Sequence, residues 1–218
     1  MKLFDLDGTL IDSNGVWQEV DERFLSARNL TATEEYLDFV SHAIFPTSAQ
    51  FTKEYYHLDE SPQEIMDEWL SLARDAYEHR IPLKPGVLEF LRQEQEKGEA
   101  LALGTSCVPE LGHAVLERHG LTSFFRHLVF AQELGLEKRD PRFFDLVLEY
   151  LKASPSDCVF YDDAPDNCAA AKRTGMTVIG VLDPLFAAQA GRMARLCDFC
   201  IHDFTQLLEP PAPLQVHP

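Results

Sequence analysis

The chain has 218 residues, with 36 Asp and Glu against 19 Lys and Arg, a formal net charge of −17 at pH 7 with histidine neutral. A surface this acidic repels the phosphate backbone that dominates nucleic-acid affinity and the anionic leaflet of a membrane, so neither nucleic acid nor membrane is an expected partner. With 45% hydrophobic and 11% aromatic residues there is ample material for a core, which excludes a disordered chain.

The first apolar stretch, 2–5, is short and reads as a strand. Asp5 and Asp7 interrupt it where a secretory leader would need its apolar run, and no stretch of about 18 apolar residues follows, so a cytoplasmic protein without a membrane span is expected. Helical spacing then takes over: Val16, Trp17, Val20, Phe24 and Leu25 form one stripe, and Ile65, Met66, Trp69, Leu70, Ala73, Ala76 and Tyr77 another. Ser61-Pro62-Gln63-Glu64 opens the second stripe with an N-cap serine, a proline at the first helical position and a capping-box glutamate. Segments 34–44 and 49–56 read as shorter helices, and Pro82 and Pro85 mark the exit from this helical block.

Beyond residue 85 short apolar runs at 100–103, 128–130, 158–161 and 177–182 alternate with helices at 87–97, 109–119, 141–151 and 164–174. Such alternation predicts right-handed βαβ units on a parallel sheet. The expected architecture is α/β: a doubly wound, Rossmann-like sheet from residues 1–11 and 85–209, with residues 12–84 inserted as an α-helical cap. Residues 210–218, rich in proline, read as a disordered tail. Five cysteines form no disulfide framework, and Cys197-x-x-Cys200, which has no second pair and no neighbouring histidine pair, reads as packing in a reducing compartment.

In an open parallel sheet, ligands bind beyond the carboxyl ends of the strands. The predicted strands lead there into Asp5-Leu6-Asp7-Gly8-Thr9, Gly104-Thr105-Ser106, the loop carrying Lys138, and Asp162-Asp163. Carboxylates converging on one rim repel one another unless a cation sits among them. The donors are all hard oxygens, which favours Mg, an ion that accepts one or two carboxylates together with a substrate phosphate.

These segments, in this order and on these elements, resemble the four motifs of the haloacid dehalogenase-like hydrolase superfamily. A helical cap between the first and second motifs is similar to the subgroup of phosphoglycolate phosphatase-like and β-phosphoglucomutase-like enzymes. The resemblance implies a phosphatase of a small phosphorylated metabolite. Asp5 would attack phosphorus and form an aspartyl-phosphate, and Asp7 would serve as general acid and then base. Thr105, Ser106 and Lys138 would bind the phosphate. Mg would be held by Asp5, Asp163, the backbone carbonyl of Asp7, and Asp162. Two positions depart from the pattern: Arg139 stands where proline commonly follows the lysine, and Asn167 where many members carry an acid, which implies an indirect contact with the metal site.

Taken singly, each motif has an ordinary reading: a hairpin turn, a helix cap, a surface lysine, an acid pair at a helix N-terminus. Their joint occurrence carries the functional one. The eight histidines show no metal-binding spacing, and Lys53, Tyr55, Tyr56 and His57 read first as a solvated helix end. A sugar phosphomutase and a catalytically idle phosphate binder remain as alternatives, whereas a dehalogenase would have no evident use for Asp7. Residues 12–84 hold 15 acids and 6 bases, so an acidic cap is expected to favour a small phosphomonoester over a large polyanion.

Overall fold

A computed structural model describes residues 1–40 and 43–208; the expected disordered tail at 210–218 lies outside them. Six parallel strands form one sheet: β1 (Lys2–Phe4), β2 (Leu101–Thr105), β3 (His127–Phe130), β4 (Val159–Asp162), β5 (Thr177–Val181) and β6 (Phe199–Ile201). Their order is β3-β2-β1-β4-β5-β6. The order reverses beside β1, which pairs with β2 through Phe4 and Leu103 and with β4 through Phe4 and Tyr161. A crevice at that reversal is where an open α/β sheet places its ligand.

Both faces of the sheet are covered, which is why its strands lack polar alternation. All five residues of β2 are buried. On one face Phe4, Leu101, Leu103 and Tyr161 pack with α5 (Val87–Glu96) and α6 (Pro109–Arg118). Phe4, fully buried, stacks on Tyr161 at 4.6 Å and meets Phe90 edge-on. On the other face Leu3, Ala102, Phe160 and Val178 pack with α8 (Pro141–Leu151), α9 (Pro165–Thr174) and α10 (Ala190–Leu196), while the single turn α7 (Ala131–Leu134) follows β3.

Between β1 and α5 the chain builds α1 (Asn14–Ser26), α2 (Glu34–Val40), α3 (Phe45–Tyr56), α4 (Pro62–Asp75) and a π-helical turn, Ala76–Arg80. The expected capping box is present at α4: Ser61 accepts from the Glu64 backbone, and the Glu64 side chain accepts from Ser61. Trp69 of α4 packs edge-on against Phe24 of α1. The helix expected to begin at 49 begins at Phe45, because Pro46 suits a first turn. The helix expected over 34–44 is assigned as Glu34–Val40; residues 41 and 42 fall outside the described part. Lys53 donates to the carbonyls of Leu58, Asp59 and Glu60, so it closes the turn after α3.

The two chain segments that join this block to the sheet hold each other. Ile11 and Leu83 form an antiparallel bridge, Lys84 N–H donates to Leu10 O at 2.9 Å, and Asp12 N–H to Pro82 O at 3.0 Å. Buried apolar packing runs from the sheet into the helices without a break. Lys84 then pairs with Asp183, just beyond β5, at 2.5 Å, with side chains 6% and 1% exposed. Breaking such a pair strands a charge out of water. Lys84→Met is therefore expected to lower unfolding free energy by about 3 kcal/mol in urea titration, and a loss near zero would show that Asp183 does not depend on it.

Candidate active site

The loop after β1 is tightly wound. The carbonyl of Leu6 accepts from the backbone N–H groups of Thr9, Leu10 and Ile11, and Gly8 N–H donates to Ile11 O. Gly8 has φ +72, and a Cβ there would lie 2.1 Å from Asp163 Oδ2 and 2.4 Å from Asn14 Nδ2. Conformation and close approach both require glycine. Its absence of side chain is what lets Asp163 reach the loop that carries Asp5 and Asp7.

Asp5, Asp162 and Asp163 each offer a carboxylate oxygen within 4.8 Å of the others, and all three are buried. Lys138, 3% exposed, lies among them: its Nζ donates to Asp5 Oδ1 and, at 2.8 Å, to Asp162 Oδ2. Burial would lower the Lys138 ammonium's pKa, but Asp162 and Asp5 outweigh it and hold the group charged. Burial pushes the Asp5 carboxyl well above the usual range; Lys138 opposes this, while Asp162, Asp163 and Asp7 add to it. Asp163 is pushed up to about 7, by burial and then by Asp162, against the hydrogen bond from Asn14. Three acids beside one ammonium make a hard, oxygen-only donor set with uncompensated negative charge, which fits a divalent cation.

The individual contacts separate the roles. Asp162 Oδ1 accepts from Ala164 N–H at 2.7 Å and from Asn167 Nδ2 at 3.2 Å. Asn167 thus touches the site through Asp162, as its departure from the family pattern implies. Asp163 Oδ2 accepts from Asn14 Nδ2 at 2.8 Å. Asp7 belongs to a different environment: its Oδ1 accepts from Ser13 Oγ at 2.7 Å and from the Tyr77 hydroxyl, which in turn accepts from Trp17 Nε1 at 2.8 Å. Thr105 Oγ1 accepts from Cys107 N–H at 3.0 Å, fixing the turn after β2. The loop at Arg139, where the family's proline is missing, is tied by Arg139 Nε to Glu137 at 2.6 Å, and Asp140 caps α8.

A cavity of about 520 Å³ opens over these groups. Asp5, Asp7, Thr105, Ser106, Lys138 and Asp163 line it, while Asp162 lies beneath, fully buried. Every site residue expected from the sequence therefore gathers at one end of the sheet. Ser13, Asn14, Trp17 and Tyr77 join them unforeseen. Trp17 and Tyr77 sit on apolar helical stripes, and nothing in that spacing marks the Tyr77 hydroxyl as aimed at a carboxylate 70 residues away or the Trp17 indole N–H as aimed at that hydroxyl. The helical block also contributes Asp21, Glu34 and Asp38 to the cavity wall. Burial pushes the Asp21 carboxyl up to about 7, opposed by the Tyr36 hydroxyl at 3.4 Å.

A family model described as haloacid dehalogenase-like hydrolase matches residues 2–181. A phosphorylated carbohydrates phosphatase of Thermotoga maritima is 26% identical over 84% of this chain and 85% of its own length. A phosphoglycolate phosphatase of Mesorhizobium japonicum is 28% identical over 82% of this chain and 81% of its own. Among solved structures, CbbY of Rhodobacter sphaeroides in complex with phosphate superposes with a TM-score of 0.78 at 20% identity, covering 94% of this chain and 95% of that one. A β-phosphoglucomutase of Clostridium difficile gives 0.75 at 17%, covering 95% and 92%. At these identities the structures establish a shared fold.

The raised Asp163 carboxyl ties stability to pH. Because its folded pKa of about 7 exceeds the ordinary 3.8, the metal-free folded chain binds more protons than the unfolded one in between, and stability falls as pH rises through that window. Asp163→Asn removes this term. In chelator, its melting temperature relative to wild type is expected to rise from pH 4 to pH 7 by about 10 °C and then level off. A difference that stays flat across that range would contradict the assignment.

Proposed function

The chain belongs to the haloacid dehalogenase-like hydrolase family, and from that membership we propose that it is a magnesium-dependent phosphatase of small phosphomonoester metabolites, working in the cytoplasm through an aspartyl-phosphate on Asp5. The observation that carries the reading is the buried trio of Asp5, Asp162 and Asp163 around Lys138 at the floor of a cavity.

In the first step Asp5 attacks phosphorus in line, the bond to the ester oxygen breaks, and Asp7 gives that oxygen a proton. In the second, Asp7 takes a proton from water as the water oxygen attacks the same phosphorus, and the bond to Asp5 breaks to release inorganic phosphate. Lys138, Thr105 and Ser106 bind the phosphoryl oxygens, so that positioning and charge compensation supply most of the rate. Asp5, Asp163 and the backbone carbonyl of Asp7, with Asp162 in reach, would hold the ion, which when bound supplies the positive charge that a buried dianion needs beyond Lys138.

Residues 12–84 act as a cap that shields the reaction from bulk water. Among the described cavity-lining residues Lys138 is the one base, whereas the cap wall carries Asp21, Glu34 and Asp38. A leaving group with a second negative charge would meet this acidic wall rather than a basic one, so neutral or cationic leaving groups are favoured.

Hydrolysis of p-nitrophenyl phosphate is expected to require Mg and to fall by more than about 10³-fold in Asp5→Asn; full activity in that variant would remove Asp5 as nucleophile. Across a phosphoester panel, hexose monophosphates should exceed sugar bisphosphates in kcat/KM by about tenfold or more. Isomerisation of a sugar phosphate without release of inorganic phosphate would instead identify a phosphomutase.

A further inference from the structure

Asp7 is oriented by the helical block rather than by the sheet that carries it. Its Oδ1 accepts two hydrogen bonds, from Ser13 and from Tyr77. Tyr77 belongs to the π-helical turn after α4 and its side chain is fully buried. Such turns widen the helix by one residue and re-aim the side chains they carry. Here the widened turn is held from outside: Arg118 of α6 donates to the carbonyls of Ala76, at 3.4 Å, Tyr77, at 3.3 Å, and Ile81.

The direction of the Tyr77 hydroxyl proton follows from its partners. Trp17 Nε1 is a donor only, so the 2.8 Å contact uses a lone pair of the phenol oxygen. The phenol proton is then the one available to Asp7. Burial, followed by the Asp7 and Cys107 charges, raises the Tyr77 phenol well above its ordinary pKa, so it stays a donor. The result is a one-way chain, indole N–H to phenol O–H to carboxylate, in which each bond polarises the next. Trp17 also packs edge-on against the Tyr77 ring and lines the cavity.

We propose that Tyr77 is a positioning residue for the proton transfer of Asp7, with Trp17 fixing the direction in which the Tyr77 hydroxyl points. The proposal rests on the reading of Asp7 as the general acid. A carboxyl group on a loop must be held to within a fraction of an ångström to meet a leaving oxygen, and the two hydrogen bonds on Oδ1 supply that restraint. Without the phenol, the carboxyl keeps the Ser13 hydroxyl and the weaker Cys107 thiol contact, and is held less firmly.

Leaving groups separate this role from a structural one. Expulsion of p-nitrophenolate needs little help from an acid, whereas expulsion of an alkoxide depends on it. The quantity kcat/KM covers the steps through loss of the alcohol. Wild type, Tyr77→Phe, Trp17→Phe and Asp7→Asn would be compared on p-nitrophenyl phosphate and on glycerol phosphate, with circular dichroism melts as a check on folding. Tyr77→Phe keeps the ring in place, and is expected to widen the aryl-to-alkyl ratio of kcat/KM by about 10- to 100-fold, with KM for glycerol phosphate changed less than kcat. Trp17→Phe should widen it less, by about threefold. An equal loss on both substrates in Tyr77→Phe, while Asp7→Asn widens the ratio, would overturn the positioning role and leave the general acid standing. An unchanged ratio in Asp7→Asn would overturn the general acid and the proposal together.

Discussion

The site is organised by one electrostatic constraint: three buried carboxylates, Asp5, Asp162 and Asp163, lie within 4.8 Å of one another around a single ammonium. Carboxylates at that spacing cannot all ionise in a dry interior without added positive charge. Burial raises Asp5 and Asp163, and Lys138 is held charged against its own burial. The arrangement stores unfavourable energy that a divalent cation would relieve, since three carboxylates and one ammonium leave two negative charges, whereas a phosphate dianion alone would add to the repulsion.

The sheet order makes this crowding possible. β1 and β4 are neighbours at the reversal, and each ends in aspartates, so Asp5 and Asp162 face each other as a result of register: Phe4 pairs with Tyr161, and Asp5 N–H donates to the Tyr161 carbonyl. The stacked Phe4 and Tyr161 rings lock that register from the apolar side. Gly8 then allows the two loops to close on each other. Lys138 arrives from the loop before α8, whose start is set by the Asp140 cap and Pro141. Each of these devices helps to set the distance between two charges.

The sheet and the acids at its rim are legible in the sequence because both depend on short-range patterns. Strands buried on two faces appear as apolar runs, and a ligand site at their carboxyl ends follows from topology. Element limits shift by a residue or a few: β4 extends to Asp162, and β2 runs through Thr105, because the ladders continue one and two residues past the apolar runs. What the sequence conceals is pairing at a distance. Asn14 with Asp163, Lys84 with Asp183, and Tyr77 with Asp7 are separated by 149, 99 and 70 positions. A tyrosine on a helical apolar stripe looks like core, and Tyr77 is core by burial; its hydroxyl is the part that periodicity cannot see. Asn167 shows the converse. A single departure from a familiar pattern, where an amide replaces an acid, matches a contact with Asp162 through both of its oxygens.

Asp5 and Asp7, two residues apart on one loop, are the same side chain in different surroundings, and that difference divides the chemistry between them. Asp5 sits among charges, beside the Lys138 ammonium and two further carboxylates, which suits the nucleophile's part proposed for it. Asp7 meets neutral donors, a serine hydroxyl and a phenol, that orient it without neutralising it. Assigning roles to paired carboxylates by environment is a general strategy. In this chain the two environments come from different parts of the fold: the sheet surrounds Asp5, and the inserted helices surround Asp7. A rearrangement of the helices would therefore reach Asp7 before Asp5. The acidity of those helices falls on the same side, since Asp21, Glu34 and Asp38 line the cavity. The excess charge that first argued against nucleic acid thus has a local part, the acidic wall of the cavity.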